Sequence, residues 1–303
     1  MKRDKRYTFV AHPLFIALCF TAMLGSALYI STTAPALYSI ASTGFTAALI
    51  YNLNNRFFSF GKNSLTVAFL YLLLVYSSPV NIYFSNTTIV APLLLLTLFY
   101  TLKTNKGQAE QFYTGFFFSI ATLLDFRLLP LIPFILYFSV TGSSFSARSI
   151  FMFLISLLIP YIFTFSVRYI FFDDVSLFWS SIIASLGSFS SPVIKVNNVA
   201  EALLIIMILY ITIRAIYTLL NSLSRYKSSK SASITRSIII AIVLTIIMLI
   251  YRENQPAFMH LIAIPLSFIL SEYLTHPNTN RFKRVEFLVF IVFLVVTRAA
   301  EFI

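Results

Sequence analysis

The residues best suited to chemistry are charged side chains that stand beside long apolar runs. Asp125 and Arg127 occupy a turn between two such runs, and Arg252 and Glu253 occupy another, with His260 about two helical turns further on. A charge in hydrocarbon is costly, so residues of this kind usually face a cavity or a partner. The pattern predicts a polar pocket in the outer half of a membrane.

Each residue type in this pocket suits a particular role. Arginine binds phosphate or carboxylate groups through forked hydrogen bonds, and an acid can act as a general base. We therefore predict Asp125 and Glu253 as candidate catalytic acids, and an anion-binding or lipid-phosphate-binding set made of Arg127, Arg168, Arg252 and His260. The alternative is ordinary interfacial charge, with arginines paired locally to nearby acids.

Several reaction classes lack their sequence signatures. The chain has no Walker A loop and no HExxH, GxSxG or CxxC motif, which argues against an ATPase, a zinc metalloprotease and a standard serine hydrolase. The three histidines are not spaced as a metal site, and the single cysteine, Cys19, permits no disulfide within the chain. We expect no metal site and no cofactor.

The composition places these residues in a membrane protein. The 303 residues are 59% hydrophobic and 11% charged, whereas soluble domains have about 25% charged residues. A soluble fold could not cover so much apolar surface. The net charge of +12 does not indicate nucleic acid, because the basic residues form short clusters between apolar runs.

The elements that must position the pocket are membrane-spanning helices of roughly 20 apolar residues each. The sequence predicts an all-α, polytopic transmembrane bundle that forms a single integral membrane domain over residues 1–303. About eleven spans are expected, at 13–32, 34–53, 64–80, 88–103, 109–124, 128–142, 149–171, 198–221, 237–251, 256–275 and 285–301.

The basic residues predict the orientation of the bundle. Cytoplasmic loops are rich in Lys and Arg. Sixteen of the 22 basic residues fall in alternate loops: Lys2, Arg3, Lys5, Arg6, Arg56, Lys62, Lys103, Lys106, Arg148, Arg225, Lys227, Lys230, Arg236, Arg281, Lys283 and Arg284. We therefore predict a cytoplasmic N-terminus and a periplasmic C-terminus. Arg214 lies deeper in its span and is either buried and paired or directed towards the cytoplasm.

Two longer connections separate the predicted spans. Residues 172–197 form the one sizeable external segment, in which apolar residues recur at helical spacing opposite serines. This pattern predicts an amphipathic interfacial helix with Trp179 as its anchor at headgroup depth. Residues 222–237 are basic and rich in serine, and we predict a mobile cytoplasmic loop there.

The order of segments carries a family resemblance. The stretches NLNNRFFSFGKNSL, YSSPVNIYFSNTTIVAPLLLL, YTGFFFSIATLLDFRLLPLIPFIL, ARSIFMFLISLLIPYIFTF and DDVSLFW resemble an uncharacterised family of Bacteroidota inner-membrane proteins, catalogued as a domain of unknown function. The resemblance covers about residues 45–180 and extends more loosely to the end. It implies a bacterial inner membrane and gives no activity.

A second resemblance concerns the turns that hold the pocket. The pattern from Gly115 through Asp125, Arg127, Pro130 and Pro133, followed by Arg252 and His260-Leu-Ile-Ala-Ile-Pro265, is similar to the architecture of GT-C glycosyltransferases and polysaccharide polymerases. Such enzymes act on polyprenyl-phosphate sugars at the outer membrane face. They commonly carry an essential acid in the first external loop, whereas that loop here, about 31–35, has no Asp or Glu.

Three functions follow as hypotheses. The first is GT-C-like handling of a polyprenyl-phosphate-linked sugar in the cell envelope. The second is a non-enzymatic subunit or scaffold of an envelope assembly or secretion complex, with other membrane proteins as partners. The third is a transporter, which ranks last because the chain has 7 glycines and no evident repeat. The bilayer is a partner in all three, and nucleic acid in none.

The membrane assignment can be tested on isolated membranes, and the orientation can be tested on spheroplasts. We expect the protein to stay with the membrane through salt and alkaline washes. A protease added to the periplasmic side of spheroplasts should leave residues 222–237 uncut, because the basic residues hold that segment in the cytoplasm. Release by alkali would contradict the membrane assignment, and periplasmic cleavage would invert the orientation.

Overall fold

The computed structural model describes residues 34–58, 60–61, 64–77, 85–103, 107–141, 147–172, 175–187, 199–251, 255–275 and 281–300. In these ranges the chain is helical, without strands, which confirms the all-α prediction. The helices are α1 (Ala34–Leu53), α2 (Ser64–Val75), α3 (Asn86–Leu102), α4 (Gln108–Leu124), α5 (Ile132–Val140), α6 (Ala147–Phe172), α7 (Val175–Gly187), α8 (Val199–Ser222), α9 (Ser228–Ile250), α10 (Gln255–Thr275) and α11 (Arg281–Ala300).

Four of the described helices are long and apolar enough to cross a membrane: Ala147–Phe171, Ala202–Arg225, Ser228–Ile250 and Phe258–Thr275. Shorter apolar helices occupy Ser64–Val75, Asn86–Leu102, Phe126–Val140 and Val285–Leu294. This is the helix content of a membrane protein. The count of eleven spans stays a prediction, and the predicted span 13–32 lies outside the described residues.

The prediction of a loop over residues 222–237 was wrong. A short 3₁₀ segment (Leu223–Arg225) follows α8, and α9 already begins at Ser228. The serines of this stretch suggested a linker, but it contains no glycine or proline that would end a helix. The predicted span 237–251 is therefore only the second part of a longer helix.

Arg236, which the charge pattern placed in that loop, is buried in α9. Its guanidinium donates hydrogen bonds to the carbonyl of Thr101 (3.0 Å) and to the carbonyl of Thr141 (3.1 Å). These two carbonyls stand at the C-terminal ends of α3 and α5, where backbone acceptors have no partner within their helix. A cation there also suits the negative end of each helix dipole. Arg236 thus joins three helices.

The chain divides into two compact units, and the prediction of a single domain stays a prediction. The first comprises residues 1–84, 196–225 and 266–303, and the second comprises 85–195 and 226–265. The first unit holds α1, α2, α8, α11 and the C-terminal part of α10. The second holds α3 to α7, α9 and the N-terminal part of α10.

A tight turn after α1 organises the first unit. The chain leaves α1 through a π-helical turn (Asn54–Phe58), and the amide of Asn54 makes two hydrogen bonds with the backbone of Phe60. Gly61 then adopts φ +67°, a conformation that other residues rarely take. Its N–H donates to the buried carboxylate of Glu272 on α10 at 2.8 Å. The sequence Phe60-Gly61 therefore fixes how this turn meets α10.

Close contact between α4 and α6 organises the second unit. Ser119 donates to the carbonyl of Leu157 at 2.6 Å, and Tyr161 donates to the hydroxyl of Thr122 at 2.9 Å. The residue numbers of the bonded pairs increase in the same direction along both helices, so α4 and α6 run parallel. Gly115 allows the approach, since a Cβ there would lie 2.7 Å from the carbonyl oxygen of Phe153. Small residues serve this purpose between membrane helices.

The segment predicted to be external contains the expected helix, α7, over Val175–Gly187. Trp179 and Ile183, one turn apart, are 54% and 68% exposed. Its position at the bilayer interface, with Trp179 as the anchor, stays a prediction. The rest of the predicted segment 172–197 is described only at Phe172.

The α4–α6 contact makes a direct prediction for Gly115→Ala. The added methyl meets backbone at Phe153, which cannot move aside as a side chain can. We expect the free energy of unfolding to fall by about 1–3 kcal/mol, as overpacked cores do. Thermal unfolding of the purified protein in detergent measures this.

Gly44→Ala is the matched control, because a Cβ at Gly44 meets no atom within 4 Å. That change should leave the midpoint unaltered or raise it, since alanine favours the helix. Equal loss of stability in both variants would contradict the packing argument.

Candidate functional site

The Asp125–Arg127 turn lies where α4 ends. Asp125 follows the last residue of α4 and caps the 3₁₀ segment Phe126–Leu131, its Oδ1 accepting the N–H of Arg127 at 3.2 Å. Aspartate favours such turns because its short side chain bonds to the backbone two residues on. The Nε of Arg127 lies 4.0 Å from the same oxygen. Local sequence alone therefore builds a paired acid and cation.

Asp125 is buried in this turn. Burial raises the pKa of its carboxyl above the ordinary value, and the charge of Arg127 acts in the opposite direction. A carboxylate with a raised pKa is better matched to proton transfer near neutral pH than an exposed one. The turn thus places a buried acid of suitable chemistry between two helices of the second unit.

The end of α9 meets this turn. The guanidinium carbon of Arg127 lies 6.0 Å from the ring centre of Tyr251, which is buried and follows the last residue of α9. That spacing is the limit of a cation–π contact. Arg252 and Glu253 come directly after Tyr251 but lie outside the described residues. Their place in the pocket stays a prediction.

The other predicted site residues lie on separate elements. His260 is fully buried in the N-terminal part of α10. Arg168 lies near the C-terminal end of α6, and Trp179 is exposed on α7. The structure thus joins Asp125 and Arg127. The predicted grouping of Arg168 and His260 with them stays a prediction.

A groove between α4 and α6 contains Arg168. It has a volume of about 650 Å³, within the usual range of small-molecule pockets. Its lining is Phe116, Ile120, Leu123 and Leu124 of α4, Phe126 of the 3₁₀ segment, and Ile159, Pro160, Phe163, Thr164 and Arg168 of α6. All are apolar except Thr164 and Arg168. Sequence analysis missed this groove, although Pro160, Thr164 and Arg168 follow one another at four-residue spacing.

A second polar cluster, in the first unit, was also missed. The buried carboxylate of Glu286 on α11 forms an ion pair with Arg214 of α8. It also accepts hydrogen bonds from Tyr210 of α8 (3.3 Å) and Tyr273 of α10 (3.1 Å). Of the alternatives left for Arg214, the structure shows the pairing, with the side chain half-buried; its direction relative to the cytoplasm stays a prediction. The four-residue spacing of Tyr210 and Arg214 was the one available signal, and no local pattern linked them to Glu286.

These features define the class of protein. The long apolar helices, with charges held in internal pairs between them, are those of a membrane protein built from packed helices. In the described part of the chain, no group of three or more His, Cys, Asp or Glu side chains is placed to hold a metal ion.

The chain belongs to the family of unknown function DUF6427, which it matches over residues 4–303. The predicted membership of an uncharacterised family is thereby confirmed, over more of the chain than the resemblance covered. Comparison with curated proteins and with solved structures gave no match.

The Glu286 cluster predicts a large effect of Arg214→Met. Removing the cation leaves a buried carboxylate without its charge partner, which in such pairs costs 3–5 kcal/mol. Because Arg214 is 33% exposed, we expect a loss of about 3 kcal/mol, the lower end of that range. The thermal midpoint in detergent measures it.

Two further variants serve as a control and as a test for recovery of the lost stability. Arg225→Met removes an exposed cation shortly after the same helix and should change the midpoint little. The double change Arg214→Met with Glu286→Leu should recover most of the loss, since no charge then remains buried. A double variant as unstable as Arg214→Met alone would argue against the ion pair as the cause.

Proposed function

We propose that this protein is a GT-C-like protein of the bacterial inner membrane, from a Bacteroidota cell envelope, that handles a polyprenyl-phosphate-linked sugar at the outer face. The observation that carries the proposal is the Asp125–Arg127 turn, in which a buried acid pairs with a half-buried cation and the end of α9 lies close by at Tyr251. Support for the outer face comes from the basic loops, which place this turn opposite the cytoplasmic side.

The turn has the groups that transfer of a glycosyl residue requires. In the proposed step, the oxygen of an acceptor sugar hydroxyl bonds to the anomeric carbon of the donor, and its proton passes to Asp125. The bond from that carbon to the phosphate oxygen breaks, and the electron pair leaves on the polyprenyl phosphate. Arg127 stabilises the negative charge that develops on the leaving phosphate. Glu253 and Arg252 complete the pocket in this proposal.

A second candidate is a non-enzymatic subunit of an envelope complex. It is favoured by the exposure of two long apolar helices. Only 17% of the apolar stretch of α6 and 22% of that of α8 is buried, against 83% in α10. Such faces contact either lipid or the helices of a partner. A transporter ranks third, because no observation on the described residues favours it.

The enzyme proposal predicts the effect of Asp125→Asn in cells. The amide keeps the shape of the turn but cannot accept the proton, so we expect the surface glycan to fall by about 100-fold or more. Arg127→Gln should reduce it as well. Glycan is measured on whole cells with protein amounts checked by immunoblot.

Glu110→Gln is the matched control. Glu110 stands at the other end of α4, in an ion pair with Lys103 at 2.8 Å, and should leave the glycan unchanged. Normal glycan in Asp125→Asn and Arg127→Gln cells would remove the enzyme proposal. A protein that copurifies at fixed stoichiometry, and is lost on Leu158→Trp at the exposed face of α6, would then favour the subunit.

A further inference from the structure

The groove between α4 and α6 has the dimensions of one membrane leaflet. Its lining runs from Phe116 to Leu124 on α4 and from Ile159 to Arg168 on α6. A helix rises about 1.5 Å per residue, so the α4 wall is about 12 Å long and the α6 wall about 13.5 Å. Half of a hydrocarbon core is about 15 Å thick. An occupant aligned with the two helices would therefore extend through most of one leaflet.

The polar end of the groove is the end at the Asp125 turn. Because α4 and α6 run parallel, the position of Arg168 on α6 lies beyond the level where Thr122 meets Tyr161. The α4 side of the groove ends there with Leu124 and Phe126, which flank Asp125 in the chain. The groove thus begins among apolar residues, and its lining ends with Arg168 on α6 and with Phe126 of the 3₁₀ segment.

The lining matches the two parts of a lipid. Eight of the ten lining residues are apolar, and three of these are aromatic: Phe116, Phe126 and Phe163. Arg168 lies at one end of the α6 wall, and Thr164 lies one turn before it. The guanidinium of arginine can donate two parallel hydrogen bonds to phosphate oxygens, and a threonine hydroxyl can donate to the same phosphate. A volume of about 650 Å³ suits one chain better than two.

We propose that this groove binds a lipid with one apolar chain and a terminal phosphate, its chain between α4 and α6 and its phosphate at Arg168. The inference rests on the proposed function, since it takes the occupant to be the lipid carrier of the substrate. It adds the site for that carrier. The charge complementarity of Arg168 and the single-leaflet length of the groove select this occupant over an uncharged lipid or a soluble anion.

Photolabelling of the full-length protein tests the proposal. The purified protein is placed in phosphatidylcholine nanodiscs and labelled with dodecyl phosphate that bears a diazirine in its chain. The labelled peptides are identified by mass spectrometry. We expect labelling of 116–126 and 159–168, and at least tenfold less with the corresponding diazirine dodecanol. A tenfold change corresponds to about 1.4 kcal/mol, close to the value of one charge-assisted hydrogen bond.

Two variants and two matched controls locate the lipid. Thr164→Trp fills the groove and Arg168→Gln removes its charge, so each should lower labelling about tenfold or more. Ile162→Trp adds the same ring to a position of α6 that is 60% exposed and outside the groove lining. Arg148→Gln removes an exposed charge at the other end of α6. Both controls should label like the unaltered protein, and Arg168→Gln also covers the case in which Thr164→Trp does not fold.

Several outcomes would overturn the proposal. Labelling unchanged by both groove variants would exclude the groove as the site. Equal labelling by the alcohol would exclude the phosphate contact. Competition by inorganic phosphate at the concentration of the lipid would show a soluble-anion site, and equal competition by phosphatidic acid would show a two-chain phospholipid site.

The same assay separates this proposal from the proposed function. Asp125→Asn should retain full labelling while losing the surface glycan. If Asp125→Asn cells keep their glycan and the groove still labels, the enzyme proposal fails and the lipid site stands. If the glycan is lost but the groove does not label, the lipid site alone fails.

Discussion

The structure depends on one constraint: in an apolar medium, a charged or hydrogen-bonding group must find its partner within the protein. Arg236 donates hydrogen bonds to carbonyls at the ends of two helices. Glu286 forms an ion pair and accepts hydrogen bonds from two tyrosine hydroxyls, and Glu272 accepts one from the N–H of Gly61. Each pairing joins elements that are distant in sequence. The charged residues are few, and these three fix how helices pack within each unit.

The Asp125 turn and the α4–α6 groove differ in the composition of their side chains. At the turn, the cation that pairs with Asp125 is two residues away in the chain, and Asp125 is buried while Arg127 is half-buried. In the groove, Arg168 is the one cation of an otherwise almost apolar lining. An internal pair suits proton transfer, whereas a cation at the end of an apolar channel suits an anionic head on an apolar chain.

The two main errors of sequence analysis share a cause. Basic, serine-rich residues were assigned to a loop at 222–237, and Arg236 was counted with them, because charge in a membrane protein usually marks a connection. Arg236 instead lies within α9, since two helix ends need a donor there. Glu286 was given no role in the site predicted from the sequence, although it is the acceptor for groups on α8 and α10. The hydropathy pattern shows where charged residues occur along the chain, but it does not show which residues they pair with in the fold.

Local sequence pattern was sufficient for most of the helices and for the Asp125–Arg127 pair, whose members are close in the chain. Apolar runs predicted α1 at its exact bounds and most other helices within a few residues, because a helix satisfies its backbone within its own segment. The Asp125–Arg127 pair was predictable because its partners are two residues apart. The contact of Tyr251 with Arg127, the Glu286 cluster, the role of Arg236 and the groove required the tertiary structure. Each of these features joins residues from separate helices. The periodicity of a sequence predicts which face of a helix is apolar, but it does not predict which other helix packs against that face.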